Sequence, residues 1–195
     1  QSLFIHILFL LFKRRNKMEE LKHWDSEETL EEIKKSITVD EVGMFAMLNK
    51  RIVITPQETF GNMMKAAASL AGINAAKILM REAGYEIAKS VSKIMVDVLN
   101  LKGNDLIVFY CETAGKRGWG FNAVKEVDVP GGKFRTELHF SPFVTGFTEK
   151  TKVPVCDFQA GAIEAMFHAA GNKNVKIIET KCVAMGDSIC VFENK

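Results

Sequence analysis

The stretch Glu179-Thr-Lys-Cys182-Val-Ala-Met-Gly186-Asp187-Ser-Ile-Cys190 decides how this chain is read. Two cysteines flank a Gly-Asp turn, and a carboxylate precedes the first cysteine by three residues. Both flanks are rich in β-prone residues, so Val175–Ala184 and Ser188–Glu193 predict the two strands of a hairpin. With a three-residue loop from Met185 to Asp187, Cys182 faces Cys190, and opposed residues bring their Cβ atoms to roughly 4.5–5.5 Å. Two sulfurs at that separation suit one metal ion. Glu179 lies three residues before Cys182, so strict alternation puts it on the other face of the strand. It joins the site only through a bulge or local bend. Cys156, just ahead of a helical segment, closes the set from a different layer. Three soft thiolates and one carboxylate make a four-coordinate zinc set. The same spacing also fits two small buried thiols or a disulfide across the hairpin. It is not a paired CxxC pattern, so spacing alone leaves all three open.

Working upstream, Asp157–Ala170 has Phe158, Ala162, Ala165, Met166 and Ala169 at helical spacing, with Gly171 as a stop. Phe121–Val129 and Lys133–Phe140 predict antiparallel strands joined through Pro130-Gly131-Gly132, and Leu106–Thr113 predicts another strand. Thr55-Pro56-Gln57-Glu58 has the form of a capping box. It predicts a helix running to Ala83, ended by Gly84, and a second helix over Tyr85–Asn100. Ala68, Gly72 and Ala76 recur every four residues, a face suited either to tight packing within the chain or to a homodimer. Met44–Leu48 and Ile52–Thr55 predict a hairpin around Asn49-Lys50. Before it, residues 18–41 read as a charged helical arm in which His23 and Trp24 have packing roles.

Residues 1–17 hold an apolar run, Ser2–Phe12, followed by Lys13-Arg14-Arg15. The run is shorter than the roughly 20 residues that span a bilayer, and its charges follow rather than precede it, unlike a secretory signal. It reads as an extension outside the fold, with Met18 as a start and a short membrane-surface anchor as the alternative. That leaves 42–195 as one domain. The chain of 195 residues is 47% apolar and 26% charged, enough for one full core. Its net charge is +2, and without residues 1–17 bases and acids stand at 22 against 24, which gives no footprint for nucleic acid. Four cysteines without a disulfide framework point to a reducing, cytoplasmic compartment. Gly115-Lys116 lacks the remaining residues of a P-loop, and Gly118-x-Gly120-x-x-Ala123 opens a strand rather than a helix, which excludes a dinucleotide fingerprint. His139 and His168 are isolated, and no Ser-His-Asp set, catalytic carboxylate pair or HExxH is present.

The pattern Glu179-x-x-Cys182-x-x-x-Gly186-Asp187-x-x-Cys190-x-Phe192 resembles the C-terminal signature of the 4-vinyl reductase domain family. The resemblance extends through Cys156 and Gly161, and more loosely through Gly118-Trp119-Gly120 and Ala68–Ala76. That family includes ligand-sensing domains of phenol-responsive activators, small stand-alone prokaryotic proteins and, distantly, TRAPP trafficking subunits. The resemblance implies zinc on Cys156, Glu179, Cys182 and Cys190, the positions that hold it in the phenol sensors. It implies an α+β fold: an antiparallel sheet carrying two long helices and a C-terminal zinc-stapled hairpin. It also favours the homodimer through Ala68-Gly72-Ala76. The function expected is binding of a small apolar or aromatic ligand in a pocket near Trp119, Phe121, Phe140 and Phe143, with structural zinc and no catalysis. Alternatives are reduction of a tetrapyrrole vinyl group, for which no motif for a reductant cofactor is present, and a structural assembly subunit.

Overall fold

A computed structural model describes residues 26–47 and 50–195. The expectations for residues 1–17, Met18, His23, Trp24, Leu48 and Asn49 lie outside the described residues. The first helix, α1 (Ser26–Ser36), has Glu27 and Glu28 in its first turn and Lys34 and Lys35 in its last, each complementing the helix dipole. It buries no residue and leads into a small antiparallel sheet of β1 (Ile37–Val39), β2 (Phe45–Met47) and β3 (Lys50–Arg51). Asp40 closes the β1–β2 turn, accepting from the Val42 and Met44 amides and from Arg51 Nε.

Two helices follow, α2 (Thr59–Ala71) and α3 (Ile73–Asp97). The predicted break at Gly84 is corrected: the chain breaks at Gly72, and Gly84 is buried inside α3. The reason is a third helix, α5 (Asp157–Ala169), which crosses α3 at backbone contact. A Cβ on Gly84 would stand 2.0 Å from the Phe158 carbonyl oxygen, and one on Gly161 would stand 2.0 Å from the Arg81 carbonyl oxygen. Each glycine is therefore the residue that lets the other helix approach. A mid-helix glycine costs about 1 kcal/mol against alanine; here packing overrides that local preference. The break at Gly72 also interrupts the Ala68-Gly72-Ala76 stripe. Ala76 is covered by the chain's own core, whereas Leu70 and Ile78 point outward. The capping box is displaced too, since α2 starts at Thr59 and Glu58 occupies its N-cap position without a side-chain bond.

Leu106–Thr113 is helical rather than extended, forming α4 (Gly103–Ala114). Leu106, Ile107, Phe109, Cys111 and Thr113 are all buried. A short, nearly continuous apolar run carries no period that separates a buried strand from a buried helix. Asn104 ties its start to the sheet, accepting from the Val129 amide at 2.8 Å.

The main sheet contains β4 (Phe121–Asp128), β5 (Lys133–His139), β6 (Ile177–Lys181) and β7 (Cys190–Asn194), all antiparallel in the order β4-β5-β7-β6. The architecture is α+β, as expected. Phe134, Leu138, Phe192 and Ile177 from the sheet meet Ile163, Met166 and Phe167 of α5 in one core, with the Phe134 and Phe167 rings edge-to-face at 5.4 Å. Lys77 of α3 bonds Asp157, and Arg81 bonds both Glu164 and the Ile177 carbonyl, so α3, α5 and β6 are tied by partly buried ion pairs. Gly161→Ala is expected to lose roughly 1–3 kcal/mol, because the added methyl meets backbone rather than a flexible side chain. An unchanged thermal midpoint in Gly161→Ala would contradict this account of the crossing.

Candidate metal centre and adjoining cavity

Glu179 pairs with Phe192, but the next pair in the β6–β7 ladder is Lys181 with Val191, so Thr180 is an extra residue on β6. That bulge is the device the spacing required. It cancels one step of alternation and lets Glu179 and Cys182 reach the same side. Continuing the register places Cys182 opposite Cys190, at the point where the ladder ends. The connection is longer than the three residues expected: a 3₁₀ turn at Val183–Met185 and the turn at Gly186 occupy it. Asp187 accepts the Cys182 amide at 2.8 Å, and Cys182 in turn accepts the Met185 and Asp187 amides through its carbonyl. Cys156 stands at the N-terminus of α5, held from both sides by Lys77, which bonds the Pro154 carbonyl and Asp157.

One donor atom from each of Cys156, Glu179, Cys182 and Cys190 lies within 4.8 Å of the others, and the three cysteines are wholly buried. This group could hold a metal ion. Cys156 and Cys190 have their sulfurs 3.7 Å apart, well beyond the roughly 2.05 Å of a disulfide, and all four cysteines of the chain are free thiols. Glu179 Oε2 accepts the Cys156 amide at 2.8 Å, while its buried Oε1 has no partner among the described residues. An unsatisfied buried carboxylate oxygen is costly, and a cation on the cluster would satisfy it. Burial, with the Cys182 charge adding to it, pushes the Glu179 carboxyl up to about 9. Burial also pushes the Cys156 thiol well up, whereas hydrogen bonds from Cys156 and Cys190 hold Cys182 far below an ordinary thiol. A cation would reverse the first two effects, since ligands bind metals deprotonated. Two supports had no sequence signal: Ser141 Oγ lies 3.5 Å from Cys156 Sγ, and the Val183 amide donates to Cys190 Sγ at 3.4 Å. Such outer contacts orient ligand sulfurs.

A cavity of about 220 Å³ lies beyond Cys156, between α3, α4 and the small sheet. Its wall includes Ile87, Val91, Ile94, Phe109, Trp119 and Phe158. Phe158, two residues after Cys156, connects the two features. Its ring stacks on Trp119 at 5.4 Å and on Phe143 at 5.3 Å, with Phe60 packed 5.0 Å away. Among the four expected pocket residues, Trp119 is on the wall and Phe143 is buried behind it. Phe121 and Phe140 are not on the wall: Phe121 sits beside His139, and Phe140 has φ 56° and is 73% exposed. Ser36 and Met47 also line the cavity, and Glu32 of α1 pairs with Lys116, so the charged arm packs against the domain. In chelator-treated protein, Asp187→Ala is expected to raise the rate at which Cys182 reacts with a thiol reagent by about tenfold, through loss of one amide bond in the loop. Reaction at the wild-type rate would show that Asp187 does not hold the loop.

No curated protein matches the chain. Among solved structures, the fold is similar to the phenol-responsive sensory domain of the transcription activator PoxR with phenol. The TM-score is 0.72 and the identity 14%, over 89% of this chain and 91% of that one. It is also similar to a trafficking protein particle complex subunit 3 from Naegleria fowleri covalently bound to palmitic acid, at TM-score 0.55 and 12% identity. That match covers 71% of this chain and 93% of the other. A vinyl-4-reductase family protein from Methanocaldococcus jannaschii matches at TM-score 0.45 and 19% identity, over 74% and 83% of the two chains. At these identities the likeness is one of fold. The 4-vinyl reductase domain model matches residues 137–195, the segment that carries Cys156, Glu179, Cys182 and Cys190, and this segment is thereby identified as 4-vinyl reductase domain sequence.

Proposed function

We propose that the protein is a sensor-type small-molecule-binding domain, with zinc on Cys156, Glu179, Cys182 and Cys190 as a structural staple. The cavity behind Trp119 takes an apolar or aromatic ligand. The observation that carries this reading is Phe158. It begins two residues from a metal-type cysteine and ends in the cavity wall, so the staple fixes the position of the binding surface. The donor set suits zinc: a tetrahedral ion with Zn–S of about 2.3 Å separates its sulfurs by about 3.8 Å, and Cys156 and Cys190 stand 3.7 Å apart. Four protein ligands leave no open position, so the metal holds structure rather than activating water. The likeness of fold to a sensory domain solved with phenol adds support.

Purified protein is expected to contain about one zinc per chain by elemental analysis. Cys182→Ser and Cys190→Ser are expected to lose it and to lower thermal stability, and acidification in the presence of chelator should release it as protons take the ligands. A wild type that is metal-free and fully folded would remove the staple from the proposal. Phenol and toluene are expected to raise the thermal midpoint, as any ligand of the native state does. Trp119→Ala should weaken that effect by about tenfold in apparent affinity while the zinc stays in place. Retention of full affinity in Trp119→Ala would put the ligand elsewhere.

A further inference from the structure

We propose that the cavity's ligand carries a carboxylate, and that Arg117 is the residue that binds it. This rests on the reading of the cavity as a ligand site and specifies the class of ligand. The wall contains no Asp or Glu, and most of it is aliphatic or aromatic. Two cationic side chains line it, Lys50 and Arg117. Lys50 is exposed and keeps its water, whereas Arg117 is partly buried.

The guanidinium of Arg117 is poorly satisfied. Of the five N–H donors an arginine presents, Nε meets the Met47 thioether sulfur at 3.0 Å, a weak acceptor, and Nη1 meets the Thr113 carbonyl at 2.8 Å. No other acceptor takes the remaining donors among the described residues. The carboxylate that acts on Arg117 through space, Glu32, is bonded instead to Lys116 at 2.6 Å. Burial pulls the Arg117 pKa below the ordinary arginine value, with Glu32 opposing it. A cation that is partly desolvated and lacks an anionic partner is a destabilising arrangement unless a ligand supplies that partner.

Local backbone geometry points the same way. Residues two apart on a regular α-helix do not share a face, yet Arg117 and Trp119 both line the cavity. They do so because α4 ends in a wide π-type turn, Gly115–Trp119, kinked at Gly118 with φ 89° and ψ 9°. That conformation suits glycine and is costly for other residues. The turn thus sets a cation and an indole ring side by side over an apolar space, an arrangement for a molecule with a charged head and an apolar body. One guanidinium fork matches one planar carboxylate through two parallel bonds, and a single buried charge balances a monoanion better than a phosphate. A cavity of about 220 Å³ exceeds the roughly 150 Å³ that accommodates benzene, so a substituted one-ring carboxylate fits.

The test uses the full chain at neutral pH with two probes of equal shape, para-ethylbenzoate and para-ethylbenzamide, titrated by calorimetry. Wild type is expected to bind the benzoate about tenfold or more tighter than the amide, as a hydrogen-bonded charge pair requires. Arg117→Met should abolish that preference and leave the amide affinity within about threefold. Arg117→Gln gives the same reading if the methionine variant does not fold, and the wild-type ratio stands independently of either. Equal or weaker binding of the benzoate by wild type, or a preference that survives loss of Arg117, would overturn the carboxylate assignment and leave the cavity reading intact. Binding of neither probe would overturn the cavity reading and this inference with it.

Discussion

The backbone contact between α3 and α5 is the constraint on which the other features depend. Gly84 and Gly161 each occupy a place where a methyl group would overlap the opposite helix's carbonyl. At that separation α5 sits deep enough for almost its whole surface to be buried, with Phe158, Ile163, Met166 and Phe167 all in the core. Its N-terminal Cys156 then stands beside the end of the β6–β7 ladder rather than above the sheet. Bulkier residues at the crossing would lift the helix and separate Cys156 from Glu179, Cys182 and Cys190. The ion pairs of Lys77 and Arg81 fix rotation and slide along the same interface, because each reaches α5 and an adjoining backbone carbonyl.

Metal-type cluster and cavity are consequently two ends of one short segment. Cys156 faces the thiol group, and Phe158 stacks in an aromatic set with Trp119, Phe143 and Phe60. A change in the position of α5 moves both. The small sheet bears on the same wall, since Met47 reaches Arg117 and Glu32 of α1 is bonded to Lys116. Anything that enters the cavity meets residues from α3, α4, the wide turn and the arm at once. This gives a ligand the means to alter how the arm lies on the domain.

Several features were legible in residues alone, each because its physics is local. The four-residue metal-type set, the β4–β5 hairpin and α5 within one residue of its end all follow from spacing, turn chemistry and helical period. Even the need for a bulge was visible, because Glu179 and Cys182 are separated by an odd number of steps; what could not be read was that Thr180 supplies it. Local signals misled where packing outweighed them. Gly84 read as a stop because glycine is a poor helix former, yet it is the residue that admits α5. Leu106–Thr113 read as a strand because burial on nearly all sides erases periodicity.

By itself, then, the sequence determined the chemistry: soft ligands with one acid, an α+β pattern, aromatic residues beside glycine turns, and no motif for a nucleotide or dinucleotide. The tertiary structure decided which of those groups meet. Phe140 and Phe121 were plausible pocket residues on strand pattern, but a left-handed backbone turns Phe140 to solvent and pairing with β5 sets Phe121 beside His139. Phe158 and Arg117 took their place, brought there by a helix crossing and by a π-type turn. Both depend on contacts between segments distant in the chain and on backbone angles that no residue pattern encodes. Residue type fixes what an atom can bind; only the packed backbone fixes where it points.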